Sequence, residues 1–251
     1  KLQQMMAYGA KIYRVRGMGL DPRVSNETIR VLQQLSDRPD TALQISAFRF
    51  SPAGMTCVQS ISYELAEQID GRIDHVFCPA GGGGLTLAVA RGFDVLVAHG
   101  CLDVGAKIEC VQPEGNNTMA GPLREGADQA VAVTCTSQIS GLQVGSVIDG
   151  DETLAACRRT GGTGHVISDE AIWHAQARMA REEGIFCEPA GATALAGALN
   201  ACQRGSIDPD ATVVCLVTGT GFKDPPSIER MLEGFESPLV NVSDLPQLST
   251  T

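Results

Sequence analysis

Four consecutive glycines, Gly81, Gly82, Gly83 and Gly84, lie between an apolar run and a segment with helical spacing. Glycine is costly to order, and it is used where the backbone needs unusual dihedral angles or approaches a ligand closely. A turn from a strand into a helix presents backbone N–H groups at the positive end of the helix dipole. The glycines therefore predict a phosphate site, and a tight turn without a ligand is the simpler alternative for this run alone.

Two common nucleotide-binding motifs do not fit the glycine run. In the dinucleotide motif G-x-G-x-x-G, counted from Gly81, the sixth position is Thr86 and not glycine. The P-loop motif fails as well, because no Lys-Ser or Lys-Thr pair follows the glycines. The pattern indicates a phosphate that belongs to a molecule other than NAD or ATP.

The composition is that of a globular protein, and it argues against some classes of binding partner. Hydrophobic residues make up 43% and charged residues 19% of the 251 residues. The net charge of -10 argues against nucleic acid, whose phosphates require a basic surface. No apolar run is long enough to cross a bilayer, so no membrane contact is expected. The nine cysteines occur singly, which predicts reduced thiols in a cytoplasmic protein and no metal site.

Strand patterns alternate with helical patterns along the chain, which predicts an α/β fold with an open, largely parallel sheet flanked by helices in two lobes. We expect residues 1–50 to be a remnant of the smaller lobe and its crossing segment, residues 51–236 the larger lobe, and residues 237–251 a tail. The predicted strands are 11–15, 73–78, 107–112 and 212–217, and the predicted helices are 1–8, 25–35 with Ser25 as N-cap, 55–69, 85–99, 193–202 and the one that Ser168 caps. The GGTG stretch at 161–164 is predicted to be a loop.

Three further segments follow the glycine run along the chain. They are VQPEG at 111–115, EPAGA at 188–192 and TGTGFKD at 218–224. Together with the glycine run and residues 50–68, they resemble the tryptophan-synthase-β-like family of pyridoxal-phosphate enzymes (fold type II). Within this family the threonine synthase branch is most similar. The resemblance implies pyridoxal 5'-phosphate as cofactor and a small amino acid as substrate.

The resemblance also implies roles for individual residues. Residues 81–84 are expected to hold the cofactor phosphate through backbone N–H groups. Thr218 is expected to face the pyridine nitrogen, where a hydroxyl leaves that nitrogen neutral. Glu188 has two interpretations, a carboxylate close to the cofactor ring or a cap for the helix that follows. The four histidines match no family motif and are expected to be surface or packing residues.

The resemblance breaks at the lysine that forms a Schiff base with the cofactor. In this family it lies in a segment similar to S-x-K-D-R, and none of the four lysines has that context; they are Lys1, Lys11, Lys107 and Lys223. The first residues resemble family sequence that follows the substrate-binding loop, which predicts a chain without the family's first third. Gln59 and Ser60 also stand where related sequences tend to carry Lys-Thr.

Three functions remain open at this stage. The favoured one is a threonine-synthase-like lyase that converts O-phosphohomoserine and water to threonine and phosphate, with this chain inactive alone. The second is a related lyase, such as a threonine or serine ammonia-lyase or a cysteate-synthase-like enzyme. The third is a truncated, non-catalytic protein that binds a phosphorylated ligand. Uncovered apolar faces on the small lobe predict aggregation or a homodimer.

Overall fold

The fold is built on a parallel four-stranded sheet, seen in a computed structural model that describes residues 2–242. The strands are β1 (His75–Pro79), β2 (Lys107–Pro113), β3 (Gly164–Ile167) and β4 (Val213–Cys215). They lie in the order β3-β2-β1-β4, and every neighbouring pair is parallel. The α/β class with a largely parallel sheet is thereby confirmed.

Helices cover both faces of the sheet, as a parallel sheet requires. Within the described residues they are α1 (Leu2–Ala7), α2 (Pro22–Ser36), α3 (Pro52–Cys57), α4 (Ser60–Gln68), α5 (Gly84–Ala98), α6 (Ala120–Arg124), α7 (Gly150–Arg159), α8 (Asp169–Glu182), α9 (Pro189–Gln203) and α10 (Pro225–Met231). Helices α5 and α7 share one apolar core with the sheet, and α8 and α9 share the other. Side chains alternate between these cores along β1, since Val76 belongs to the first and Phe77 to the second.

Helix α9 lies close to the sheet because its sequence, PAGATALAGALNACQ, is made almost entirely of small residues. A Cβ atom on Gly197 would come within 2.7 Å of the Val111 side chain of β2. This close approach explains the alanine-rich composition of a helix that is buried along most of its length.

Several sequence-based boundaries are wrong. Residues 11–15 form no strand, because no strand in the described part of the chain pairs with them. Ser25 is not an N-cap: α2 begins three residues earlier at Pro22, and Asp21 caps it by accepting a hydrogen bond from the Arg23 N–H at 2.8 Å. Proline at the first helical position favours this earlier start.

Further boundaries differ from the predictions. Helix α9 begins at Pro189 and not at residue 193, and β4 covers only Val213–Cys215 of the predicted 212–217. The single helix predicted over 55–69 is two helices, α3 and α4, which meet at a break at Val58 and Gln59. The predicted loop at 161–164 ends in β3, whose first residue is Gly164. In contrast, Ser168 caps α8 as predicted, and its hydroxyl accepts the Ala171 N–H at 3.2 Å. Of the predicted tail, residues 243–251 lie outside the described residues, as does Lys1 of the first predicted helix.

Candidate cofactor site

The glycine run forms the turn between β1 and α5, at the carboxyl end of the sheet. Gly83 has a φ of +96°, a left-handed backbone that only glycine adopts at low cost. A Cβ atom at Gly83 would also collide with the Thr153 hydroxyl of α7. Both constraints require glycine at this position, and both come from the fold itself.

The carbonyl oxygens of the first two glycines are bound by buried protein groups. The Gly81 oxygen accepts a long hydrogen bond of 3.4 Å from Nε2 of Gln112, which is fully buried. The Gly82 oxygen accepts from the backbone N–H of Asp149 at 3.1 Å. These two peptide groups therefore point their oxygens away from solvent and towards β2 and the start of α7.

The carbonyl oxygen of Gly83 is bound in the same way. It accepts from Oγ1 of Thr153 at 3.2 Å and from the N–H of Leu87 at 2.9 Å. Thr153 is itself fully buried and also donates to the Asp149 oxygen at 2.7 Å. Since its one hydroxyl hydrogen serves two acceptors, Thr153 ties the glycine turn to the first turn of α7.

The orientation of the carbonyl groups fixes the opposite orientation of the N–H groups. All peptide bonds in the described residues are trans, so each N–H points opposite to the oxygen of the same peptide group. With the three oxygens held by the protein, the N–H groups of Gly82, Gly83 and Gly84 face the other way. Those of Gly82 and Gly83 donate to no protein acceptor among residues 2–242. The turn thus presents unpaired donors at the N-terminus of α5.

These donors face a cavity of about 300 Å³ at the carboxyl end of the sheet. It brings together the three groups that the sequence singled out, namely the four glycines, Thr218 and Glu188. The other residues that line it are Ser46, Pro79, Ala80, Leu85, Gly141, Leu142, Val144 and Ala190. Glu188 is the only ionisable residue in this lining, so the attraction for an anion comes from backbone N–H groups and the helix dipole.

Thr218 and Glu188 are held next to each other by two glycines. Glu188 occupies the N-cap position of α9, but its side chain makes no capping hydrogen bond. Its carboxylate lies instead against Gly219, where an added Cβ would collide with it. Gly191, in the first turn of α9, approaches the Thr218 carbonyl in the same manner. This packing places the Glu188 carboxylate in the cavity wall at 7% exposure, beside the turn that carries Thr218.

Lysine is absent from the lining of the cavity. Lys11, Lys107 and Lys223, the lysines within the described residues, all lie elsewhere. Among the described residues, no three or more His, Cys, Asp or Glu side chains are arranged so that they could hold a metal ion. No described helix is long and apolar enough to span a membrane.

Sequence reasoning missed Gln112, Asp149 and Thr153, which hold the glycine carbonyl groups. Gln112 ends the predicted strand 107–112 and belongs to the VQPEG segment, so its place in a strand was visible but its partner was not. Asp149 and Thr153 follow a stretch of small residues without a clear period. Nothing in the chain order connects them to glycines about seventy residues earlier.

A buried hydrogen-bonded cluster around Glu109 lies on the same sheet, towards the amino ends of the strands. Oε1 of Glu109 accepts from Nδ1 of His75 at 2.8 Å, and Oε2 accepts from Nε2 of His165 at 3.0 Å and from the Thr163 N–H at 2.8 Å. Burial alone raises the pKa of the Glu109 carboxyl, but the hydrogen bonds outweigh it and hold that pKa below its ordinary value. Glu109 is therefore a carboxylate. Through its hydrogen bonds to His75 and His165, it links the three neighbouring strands β1, β2 and β3.

Comparison with known proteins places the chain in a family. Residues 1–219 match the model of the pyridoxal-phosphate dependent enzyme family. The chain belongs to this family, whose members use pyridoxal 5'-phosphate, and its fold and carboxyl-end cavity agree with that membership.

The relatives and solved structures add detail. The chain is 30% identical to a threonine synthase of Methanocaldococcus jannaschii and 29% identical to one of Methanosarcina acetivorans, over 93% of its length. It spans only about half (56%) of the length of these curated relatives. Its fold resembles a threonine deaminase of Solanum lycopersicum (TM-score 0.64, 23% identity, 86% of this chain and 64% of that one). It also resembles a serine racemase of Dictyostelium discoideum (TM-score 0.63, 20% identity, 88% and 64%).

Proposed function

We propose that this chain forms the cofactor-phosphate site of a threonine-synthase-like enzyme. The observation that carries the proposal is the glycine turn, whose carbonyl groups are tied to the protein while its N–H groups face the cavity. Such a turn attracts a phosphate and repels a cation, because it offers only donors. Family membership supplies the identity of the phosphate, which is that of pyridoxal 5'-phosphate.

The residues present fit this cofactor. The turn is open to a phosphate because the four positions carry no side chains, and a Cβ at Gly81 would stand 3.2 Å from the Val144 side chain in the cavity wall. Pyridoxal 5'-phosphate supplies an electron-withdrawing ring that stabilises negative charge on a substrate carbon. The residues of this chain bind and orient that ring, and the lysine that the chemistry requires is not among those around the cavity.

Thr218 and Glu188 line the same cavity as the glycines and are assigned to the cofactor ring. The half-buried Thr218 would donate its hydroxyl to an unprotonated nitrogen of the bound ring, whereas an aspartate would hold a proton there. Glu188, buried next to it, keeps water out of this side and offers a site to which a proton can move. Neither residue replaces the missing lysine, so this chain alone has no turnover.

For the reaction we propose the conversion of O-phosphohomoserine and water to threonine and phosphate. The support is the pair of relatives named threonine synthase and the TGTG turn at residues 218–221. An ammonia-lyase, a cysteate-synthase-like enzyme and a non-catalytic binder of a phosphorylated ligand are the alternatives. When this chain is completed with the family's lysine-bearing segment, phosphate release from O-phosphohomoserine is expected. Ammonia release from threonine or serine contradicts this substrate.

A homodimer and a cytoplasmic location complete the proposal. Apolar side chains of the first 36 residues are exposed, for example Tyr8 at 80% and Tyr13 at 86%. Burying such side chains against a second copy stabilises a dimer. The cysteines are all free, as expected in a reducing compartment. Light scattering on the chain tests the dimer, and a stable monodisperse monomer contradicts it.

Cofactor binding is tested by titrating this chain with pyridoxal 5'-phosphate and, as a matched ligand, with pyridoxal, which lacks the phosphate. We expect the phosphate form to bind at least about tenfold more tightly, because charge-assisted hydrogen bonds are each worth roughly 1.5–3 kcal/mol. Borohydride treatment followed by peptide mapping is expected to trap no single lysine. Equal affinity for both ligands contradicts the phosphate site, and a specifically labelled lysine contradicts the assignment of the Schiff-base residue to another segment.

A further inference from the structure

Asp149 lies where two distant segments meet at the cavity. It precedes α7 and is only 4% exposed. Its backbone N–H holds the Gly82 oxygen, as described above, and its carboxylate accepts two backbone N–H groups of another segment. Oδ2 accepts from Phe48 at 2.8 Å and Oδ1 from Arg49 at 3.1 Å. One residue thus binds both the glycine turn and residues 46–49, which lie about a hundred positions earlier in the chain.

Residues 46–49 form part of the cavity wall. Ser46 lines the cavity, and its carbonyl oxygen lies 3.0 Å from the position of a Cβ on Gly84. The Phe48 ring lies under the Arg91 guanidinium, 4.2 Å from ring centroid to Cζ. Arg91 in turn forms an ion pair with Glu152 of α7. Of these contacts, only those to Asp149 fix the backbone of the segment through hydrogen bonds.

The carboxylate of Asp149 is close enough to the phosphate site for its charge to matter. Oδ2 lies 3.2 Å from the position of a Cβ on Gly84, at the N-terminus of α5. Through its charge alone, a carboxylate at this distance weakens the binding of an anion. A buried acid beside an anion site therefore needs an explanation. A structural role of Asp149 whose benefit outweighs this repulsion provides one.

We propose that Asp149 is a positioning residue of the phosphate site. Its carboxylate holds residues 46–49 against the N-terminus of α5 and keeps the cavity closed on that side, so that the N–H groups of the glycine turn meet the phosphate with little competing water. This role rests on the proposed function, because it takes the phosphate of pyridoxal 5'-phosphate as the ligand. Charge and positioning predict opposite effects of neutralising Asp149, which makes the two separable.

The test compares Asp149→Asn with Asp151→Asn in this chain. An asparagine at 149 has one acceptor oxygen and an NH₂ group, so it accepts one of the two N–H groups and opposes the other. Asp151 is the matched control: it is also an aspartate, two residues later in the first turn of α7, and it accepts the Ala130 N–H at 2.8 Å in an exposed position.

The first measurement is amide hydrogen exchange of residues 46–51. In the unmutated chain the Phe48 and Arg49 amides are expected to be protected, and Asp149→Asn is expected to speed their exchange by about tenfold. Asp151→Asn is expected to leave them unchanged. Unprotected amides in the unmutated chain overturn the role of Asp149, and so does equal exchange in both variants. The unmutated chain decides the first point even if Asp149→Asn does not fold.

The second measurement is the dissociation constant for pyridoxal 5'-phosphate, with inorganic phosphate as a second probe. Positioning predicts weaker binding of both by Asp149→Asn, at about three- to tenfold, with Asp151→Asn within twofold of the unmutated chain. Unchanged or tighter binding by Asp149→Asn overturns the positioning role. If the unmutated chain binds neither probe, the proposed function fails, and hydrogen exchange alone decides whether Asp149 holds residues 46–49.

Discussion

The two ends of the sheet use polar groups in opposite ways. At the carboxyl end, the glycine carbonyl groups are bonded to the protein, while the N–H groups of Gly82 and Gly83 have no protein partner in the described chain. Towards the amino end, Glu109 receives three donors and is buried. Since buried polar groups are normally paired within the protein, we expect the end with unpaired donors to bind a ligand, whereas the paired groups at the other end hold strands together.

The largest expected effect is on stability. It comes from Glu109→Gln, which is expected to destabilise the fold without changing the affinity of the cavity at the other end of the sheet. Glu109→Gln turns an acceptor of three hydrogen bonds into a group with its own N–H donors, so we expect the free energy of unfolding to fall by about 3 kcal/mol. Urea denaturation measures this loss. Affinity for pyridoxal 5'-phosphate is expected to stay within twofold at temperatures where the variant is folded.

A matched control for Glu109→Gln is Glu182→Gln, which removes an exposed ion pair with Arg178 at 2.8 Å. Exposed pairs contribute little, so the loss is expected to be much smaller than that of Glu109→Gln. Similar losses in the two variants contradict the view that the buried cluster stabilises the sheet.

A smaller effect on stability, with a large effect on binding, is expected at the carboxyl end. Gly83→Ala places a side chain at a φ of +96° and against the Thr153 hydroxyl, which costs about 2 kcal/mol and tilts the peptide groups of the turn. We expect binding of pyridoxal 5'-phosphate to weaken at least tenfold.

Gly126→Ala is the control for Gly83→Ala. Gly126 has a φ of +80°, but no atom lies within 4 Å of an added Cβ. This variant bears the left-handed backbone penalty of about 1 kcal/mol without contact to the cavity. Equal affinities in the two glycine variants contradict the assignment of the phosphate to the turn.

The pH dependence of stability sharpens the comparison further. Because the folded-state pKa of Glu109 is lowered, its contribution is fully present above the ordinary glutamate pKa of 4.5 and is lost as the pH falls through the lower folded-state pKa. The difference in unfolding free energy between the unmutated chain and Glu109→Gln should therefore shrink as the solution becomes more acidic below pH 4.5. A difference that grows under acid conditions contradicts a lowered pKa at this residue.

The sequence predicts the features that neighbouring residues determine, and it fails for features that depend on contacts between distant residues. The glycine turn, the buried strand before it and the helix after it are local patterns, and the structure has β2 and α5 within one residue and β1 within two residues of the expected bounds. The common cavity of the glycines, Thr218 and Glu188 follows from a general rule, since parallel strands place their carboxyl ends at one edge.

What the sequence did not predict depends on distant partners. Residues 11–15 carry a strand-like pattern, but a strand needs a neighbour, and no strand of the described chain pairs with them. β3 is short and begins with glycine, so its membership of the sheet is visible only from its pairing with β2. Asp149 and Thr153 act through contacts about seventy to a hundred residues away, which no local period reveals.

The hydrogen bond from Thr153 to the Gly83 oxygen also has a thermodynamic consequence. It joins residues 70 positions apart, so the aligned donors exist only in the folded chain and are dispersed when it unfolds. A phosphate compound that recognises them binds the native state alone and raises the melting temperature by mass action. At a hundred times its dissociation constant, the gain is about 2.7 kcal/mol. A thermal-shift measurement with such a compound therefore tests whether the chain is correctly folded.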